Sequence, residues 1–533
     1  LLPFSVQRSS AGVRVRVAWA QALVCVLLLG LLGWSGAAGA AYLFVKYRRG
    51  FDEVRFSHML FYPSMRDEYR IARGDFMVKE AGRQFGEKRY REAFYNLRLG
   101  VTQSPGNREG RLMLAQLYLA WDRADLAHST LIEGLQANRE NAEYLQTVFG
   151  FLLQRQADQE LLEISRALLA GRDETSPLDD RFRVIAMARA TALFFRGNYD
   201  EAEDTLRAYQ LLGVPDGQSL SLRIGWERGD REEVLTRLQA LTEQSPGNDQ
   251  FYAQYAEYLR EMGRDDEFRR LCILRQLAYP ERARPRIDLL YLYDKEGDLK
   301  AVDAGVEDLF RDFANEGEVL VALADFAANT GRPALARRIY EHCRARDLPW
   351  EGPALMTVEA HIVAREFAEA LEATREMAQA NPEWGRRYSS IFSGLQAIAN
   401  HGLGDAEAAQ LFLNNFLKQS GVRADNLVAV SNRLVAVGAR DQARQVLVQA
   451  VKTDPLNQTA LVGLIQLDLE LGQSDSLAPN LRRLLTMRKP PVDLLERAYA
   501  ELARDRHLFA PGRADLLDEL GRTRGQRGKV GRG

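Results

Sequence analysis

Residues 108–141 read REGRLMLAQLYLAWDRADLAHSTLIEGLQANREN, and this stretch decides the fold. Its apolar residues recur at three- and four-residue spacings, the register of a helix face, and nothing in it alternates as a strand would. Two helices therefore fit within this one stretch. The same punctuation returns along the chain: Ser104-Pro105-Gly106-Asn107, Ser245-Pro246-Gly247-Asn248, Tyr279-Pro280, Leu348-Pro349, Asn381-Pro382, Asp454-Pro455 and Lys489-Pro490. The separations are 34 from Pro246 to Pro280, 33 from Pro349 to Pro382 and 35 from Pro455 to Pro490. The gaps of 141 (Pro105 to Pro246) and 69 (Pro280 to Pro349) fit four and two such units. A two-helix unit with a period near 34 is the mark of a helical repeat array.

On that period, and on the residues within it, the chain resembles the tetratricopeptide repeat superfamily. The family's pattern asks for a large apolar, a small residue and an aromatic in the first helix. In the second it asks for a small residue, a bulky one and another small one, with a proline closing the unit. In residues 108–141 these roles fall to Leu114, Ala115 and Tyr118, then to Ala127, Leu131 and Gly134. The preceding unit offers Ala93, Leu97, Gly100 and Pro105. Tyr255, Ala256 and Pro280 fit a further unit, and Ala443, Leu447, Ala450 and Pro455 another. The phrases Gly197 to Ala202 and Glu366 to Ala370 look like the turn that opens a second helix. The family's signature tryptophan is mostly missing, and some units depart from the standard length.

The resemblance implies an all-α, right-handed α-solenoid of about twelve units over residues 70–510. Small residues at a crossing let two backbones approach, and the bulky residue beside them fills the groove. Proline stops the second helix because it lacks an N–H and disfavours helix in the residue before it. Each pair leaves an apolar face that only its neighbour covers.

Ahead of the array, Val17 to Val45 carries no Asp, Glu, Lys or Arg, and eight of the ten residues from Leu23 to Leu32 are Leu or Val. Those eight favour insertion by about 2–5 kcal/mol. The run makes about 44 Å of helix, more than a hydrocarbon core of about 30 Å. A cleaved signal peptide is the rival, with Arg8, Arg14 and Arg16 before the run and Ala38-Gly39-Ala40 as a cleavage site. Tyr42 to Val45 continue the apolar run past that site, and Lys46, Tyr47, Arg48 and Arg49 close it as an interfacial anchor, which favours a retained span. Basic residues nearly balance across it. A short basic N-terminal tail (1–16) left in the cytoplasm would place the solenoid outside, as for a single-pass bacterial inner-membrane protein.

Two segments stand outside the repeat. Residues 46–69 hold Phe51, Phe56, Phe61, Tyr62 and Tyr69, suited either to a cap over the first unit or to a helix at the bilayer surface. Residues 511–533 set Arg522, Arg524, Arg527, Lys529 and Arg532 among glycines, a composition expected to be disordered.

Composition narrows the function. There are 71 basic and 73 acidic residues among 533, so no net field attracts nucleic acid, and no nucleic-acid partner is expected. Cys25, Cys272 and Cys343 are isolated, without metal or redox spacing. His58, His128, His342, His361, His401 and His507 form no ligand pair on one helix face. No phosphate-binding loop or nucleophile elbow is present, and Asn457-Gln458-Thr459 reads as a helix cap. No catalytic, metal or cofactor site is expected.

The family's first helices line a concave face that takes peptides or helices of partner proteins. Here that face would carry Gln116, Phe194, Glu257, Arg260, Tyr291, Asp325, Glu359 and Asn432. The expected role is a membrane-anchored, non-catalytic scaffold for protein–protein contacts in envelope assembly, secretion or polymer biogenesis. The alternative is a regulatory adaptor delivering clients to a membrane protease or synthase, or a non-catalytic subunit of such a complex.

Overall fold

In a computed structural model, residues 4–9, 12–17, 19–170, 178–419, 421–508 and 512–530 are described. A short antiparallel hairpin, β1 (Phe4–Ser9) and β2 (Gly12–Val17), precedes everything else. Next come α1 (Trp19–Leu43), continued by a π-helical turn to Arg48, α2 (Phe56–Leu60) and α3 (Tyr62–Gly86). The apolar helix thus runs Trp19–Arg48, displaced by two or three positions from the 17–45 read in the sequence. It is long and apolar enough to cross a membrane, and only Ala38 in α1 is buried.

The helices then follow in pairs. They are α4 (Tyr90–Gln103) after α3; α5 (Arg108–Ala120) with α6 (Ala124–Gly134); α7 (Ala142–Gln154) with α8 (Asp158–Leu169); and α9 (Asp180–Phe195) with α10 (Tyr199–Ala208). Next are α11 (Pro215–Arg228) with α12 (Arg231–Gln244), α13 (Asp249–Glu261) with α14 (Asp265–Ala278), and α15 (Arg284–Glu296) with α16 (Leu299–Asp312). Then come α17 (Gly317–Asn329) with α18 (Pro333–Ala345), α19 (Glu351–Val363) with α20 (Phe367–Ala380), and a short α21 (Pro382–Arg387). The last are α22 (Ser389–Gly402) with α23 (Ala406–Lys418), α24 (Ala424–Ala436) with α25 (Arg440–Thr453), α26 (Gln458–Leu471) with α27 (Ser474–Thr486), and α28 (Val492–Leu502) with α29 (Arg513–Val530). From α5 onward, first helices start at nearly even intervals, the longest steps falling from α7 to α9 and where α21 is inserted.

The punctuating motifs set these starts. Asn107, Asn141, Asn248 and Asn457 each turn a side-chain oxygen onto backbone N–H groups of the first turn, at 2.7–3.2 Å. Those donors have no carbonyl partner within the helix, so the cap satisfies them. Asn457 is therefore a cap, the role read for it in the sequence.

The chain divides into two compact units, Leu1–Ala192 and Leu193–Gly533. In the first, Ala93, Leu97, Leu114, Ala115, Ala127 and Leu131 are buried, and Tyr118 is 9% exposed. Gly100 meets Gly74 at the α3–α4 crossing: a Cβ on Gly100 would stand 2.9 Å from the Gly74 carbonyl oxygen. Gly134 leaves room for Tyr144, whose hydroxyl donates to the Leu131 carbonyl at 2.7 Å. In the second unit Ala256, Ala443, Leu447 and Ala450 are buried at the corresponding crossings.

The second unit winds far enough for distant repeats to touch. Arg433 on α24 donates to the Asn329 side chain on α17 at 2.9 Å and pairs with Glu359 on α19 at 3.5 Å. The loop after α27 reaches back to the first repeats of the unit. There Lys489 pairs with Glu227 at 2.7 Å and sits 3.5 Å from the Phe194 ring centroid, while Arg488 lies 4.0 Å from that of Phe195. Arg196 donates to the Thr486 carbonyl at 3.4 Å. First helices therefore face the inside of this coil.

The region from 511, read as a disordered tail, differs from that expectation. Arg513–Val530 is helical, and Leu516 and Leu520 are buried in the last core cluster. Those leucines, one helical turn apart, outweigh the glycines at this end. Pro511 and residues 531–533 lie outside the described residues.

Candidate functional site

The inner helices of the second unit hold two adjoining clefts on either side of α13. One, of about 560 Å³, lies between α11 and α13 and is lined by Arg223, Trp226, Glu227, Glu257, Tyr258 and Glu261 among others. The other, of about 450 Å³, lies between α13, α15 and α17 and includes Tyr252, Arg260, Arg284, Asp288, Glu318 and Ala322. Ala253 borders both, so they form one groove across the front of α13.

The two ends differ in charge. The first cleft sets three carboxylates (Glu227, Glu257, Glu261) against two guanidiniums, Arg223 and Arg231. The second sets four guanidiniums, those of Arg260, Arg275, Arg282 and Arg284, against Asp249, Asp288 and Glu318. Lys489 already neutralises Glu227 and Arg231 faces Glu261, so a ligand lying across α13 meets a charge-balanced end, with Glu257 open to it, and a net basic end.

Packing fixes the walls. Trp226 and Tyr258 stack nearly parallel at 3.9 Å, and Arg231 lies 5.3 Å from the Trp226 ring centroid. Gln254 ties the two helices together by accepting from the Ser219 hydroxyl at 2.8 Å. On the floor of the basic cleft, Asp288 is buried and accepts from the Tyr252 hydroxyl at 2.9 Å and from Arg284 at 3.1 Å, with Arg260 at 3.6 Å. Burial raises the Tyr252 phenol's pKa and pushes the Cys272 thiol beside it up to about 12. A thiol held protonated is inert, so Cys272 is a packing residue. Among the described residues, no three His, Cys, Asp or Glu side chains converge to hold a metal ion.

The residues expected on the concave face fall in different places. Glu257 and Arg260 line the two clefts. Tyr291 donates its hydroxyl to Asp325 at 3.1 Å, and Glu359 pairs with Arg433, next to the exposed Asn432. Gln116 is exposed on α5, in the other unit. Phe194 departs from expectation: it is fully buried, covered by Lys489 and by Arg223, whose guanidinium lies 4.6 Å from its ring centroid. An aromatic ring at the start of the unit gains more from that cover than from facing water.

Arg223, Trp226, Tyr258, Arg284, Asp288 and Arg433 lie outside the set that sequence reasoning assigns. Arg223 does carry a signal. It stands one repeat period before Glu257, and the series continues through Tyr291, Asp325 and Glu359 at the same interval, one position per first helix. The others enter through winding and stacking, which no periodicity reports.

Residues 84–148 match the tetratricopeptide repeat family. That segment, from α3 to α7, carries the tetratricopeptide repeat signature. No curated protein matches it. Among solved structures, this repeat chain is similar to the APC/C hetero-tetramer Cut9–Hcn1, at 14% identity over 84% of this chain and 96% of that one, with a TM-score of 0.24. It is similar to Naa15/Naa10 bound to HypK-THB, at 14% identity over 92% and 76%, with a TM-score of 0.30. A tetratricopeptide repeat protein from Parabacteroides merdae ATCC 43184 matches at 13% identity over 46% and 95%, with a TM-score of 0.28.

One member of that series, Glu359, carries a pH signature. Burial raises its carboxyl's pKa above the ordinary value, against the pull of Arg433 and with the help of Asp325. The folded state therefore takes up this proton before the unfolded chain does, and the group adds stability as pH falls through the raised value. In denaturant melts at about pH 7.5 and pH 5, the parent should gain on a Glu359→Gln variant on acidification. A difference that stays constant with pH would contradict this account.

Proposed function

We propose that this chain is a non-catalytic, membrane-anchored scaffold that seats an extended segment of a partner protein across α13. The observation that carries the reading is the groove of two adjoining clefts, one charge-balanced with an aromatic wall and one net basic. Such a site suits a peptide that presents an acidic residue towards Arg260 and Arg284 and a polar or basic one towards Glu257. Backbone groups and side chains of an extended peptide would fill the remaining space. The Trp19–Arg48 helix supports the anchor, and envelope assembly, secretion or polymer biogenesis is the setting in which such a tethered clamp would act.

The test is site-specific photocrosslinking in cells. A photoreactive residue at Ala253, between the clefts, should capture a discrete partner band, while one at the exposed Ala240 on the second helix α12 should not. Equal capture at both positions, or capture only at Ala240, would overturn the groove.

A further inference from the structure

The Trp19–Arg48 helix is longer than the hydrocarbon core it would cross. Its 30 residues make about 45 Å of helix, against a hydrocarbon core of about 30 Å. Its apolar part, Trp19 to Val45, makes about 40 Å and would need a tilt of about 42° to fit, at the limit of the roughly 0–40° that spanning helices adopt. The chain that follows offers another solution. It reverses through Arg49 and Gly50, where Gly50 takes the left-handed backbone (φ 69°) open to glycine. Helix α2 then runs back along the end of α1. The Phe56 ring meets Tyr42 edge-on at 6.1 Å, and the Leu60 carbonyl accepts the Trp34 indole N–H at 2.7 Å.

This fold-back sorts its side chains. Phe51, Val54 and His58 are buried, with Phe51 stacked on Phe76 of α3 at 4.9 Å. Phe56, Phe61 and Tyr62 stay 42%, 55% and 42% exposed, and Trp34 50%. Rings left open beside an apolar helix are costly in water and favoured at the headgroup level of a bilayer. Charged residues bracket them: Lys46, Arg48, Arg49, Asp52, Glu53 and Arg55 on the turn, and Arg66, Asp67 and Glu68 on α3.

We propose that residues 51–62 form an aromatic collar seated in the lipid headgroup layer around the end of the span. The Trp34–Leu60 hydrogen bond marks the inner edge of the collar, so Trp19 to Gly33, about 23 Å of helix, lie in the hydrocarbon core, with the bilayer locally thinned to meet them. The occupant of the exposed rings is the bilayer interface, continuous with the surface of α1. The proposal rests on α1 being a membrane anchor. It adds that the first repeat is fixed at the surface and not on a leash, because Phe51 on Phe76 and the Lys79–Glu53 ion pair lock the collar to α3.

The test uses the full chain in phosphatidylcholine–phosphatidylglycerol nanodiscs. With Cys25→Ala as background (Cys272 and Cys343 being buried), nitroxide labels are placed singly by Leu28→Cys, Phe61→Cys, Tyr62→Cys and Tyr95→Cys. Accessibility to oxygen and to a water-soluble nickel chelate is read by electron paramagnetic resonance. Leu28 should favour oxygen and the exposed Tyr95 position nickel, while positions 61 and 62 show nickel accessibility several-fold below position 95. A bimane at position 61 should also be quenched by lipid nitroxides near the headgroups, which burial in protein would not produce. Nickel accessibility at 61 and 62 equal to that at 95, or absent lipid quenching, overturns the collar while leaving the anchor standing. Nickel accessibility at Leu28 as high as at Tyr95 overturns the anchor itself, and the collar with it.

Discussion

Replacing Asp468 by alanine is expected to cost the second unit about 3 kcal/mol, the range for stripping one partner from a buried ion pair. Asp468 is fully buried and holds three helices together. Its carboxylate accepts from Arg444 on α25 at 2.6 Å and from Ser476 on α27 at 2.7 Å, with Asn480 at 3.5 Å, while Arg444 also reaches Ser476 at 2.9 Å. Alanine leaves the Arg444 guanidinium without its carboxylate beside apolar core, and leaves the Ser476 hydroxyl without its acceptor. Because each pair in a repeat array leans on its neighbours, loss should spread to adjacent repeats before the whole unit opens. Hydrogen exchange of the full chain in detergent should show faster exchange across α24 to α28. A double variant, Arg444→Met with Asp468→Leu, should recover most of the stability, since both charges leave together. Equal destabilisation by the single and double variants would mean that shape, not charge pairing, decides this site.

The second large effect is expected at Gly74. A Cβ there would lie 2.6 Å from the Ser104 backbone nitrogen and 2.8 Å from the Gly100 carbonyl oxygen. Both neighbours are backbone, so no side chain can swing aside, and the α3–α4 crossing must widen. Gly74→Val should cost about 2–3 kcal/mol, as overpacking does when the surroundings cannot relax. Thermal unfolding followed by circular dichroism should show the loss, and Gly82→Ala serves as the control. At Gly82 an added Cβ meets only the end of Met113, at 3.8 Å. Matching melting curves for the Gly74 variant and the parent would contradict the close approach.

Gly74 and Gly100 also show how much of the fold is legible in the sequence. Gly100 stands out because it occupies a small-residue position of a recurring pattern. Its partner does not, because nothing in the phrase around Gly74 announces which backbone comes against it. The same division runs through the groove. Glu257, Tyr291, Asp325 and Glu359 can be named because one position per repeat returns to the same face. Trp226 and Asp288 cannot, since stacking on Tyr258 and bonding to Tyr252 depend on how neighbouring pairs settle. Phe194 reads as an open-face residue, and only the return of the chain at Lys489 explains its burial. That return places an ammonium between Phe194 and Glu227, and burial lowers its pKa against the pull of Glu227.

By itself the sequence determined a recurring two-helix unit, its caps and crossings, and an apolar helix ahead of it. Each of these is local: a helical periodicity, an asparagine oxygen over a first turn, a proline without an N–H. The tertiary structure alone decided which repeats meet across the coil, where the groove turns basic, and that α2 folds back along α1. Those features depend on small rotations accumulated from pair to pair and on contacts between residues as distant along the chain as Phe194 and Lys489. No local pattern encodes such sums, because each repeat's sequence specifies only its own packing and that of its neighbours.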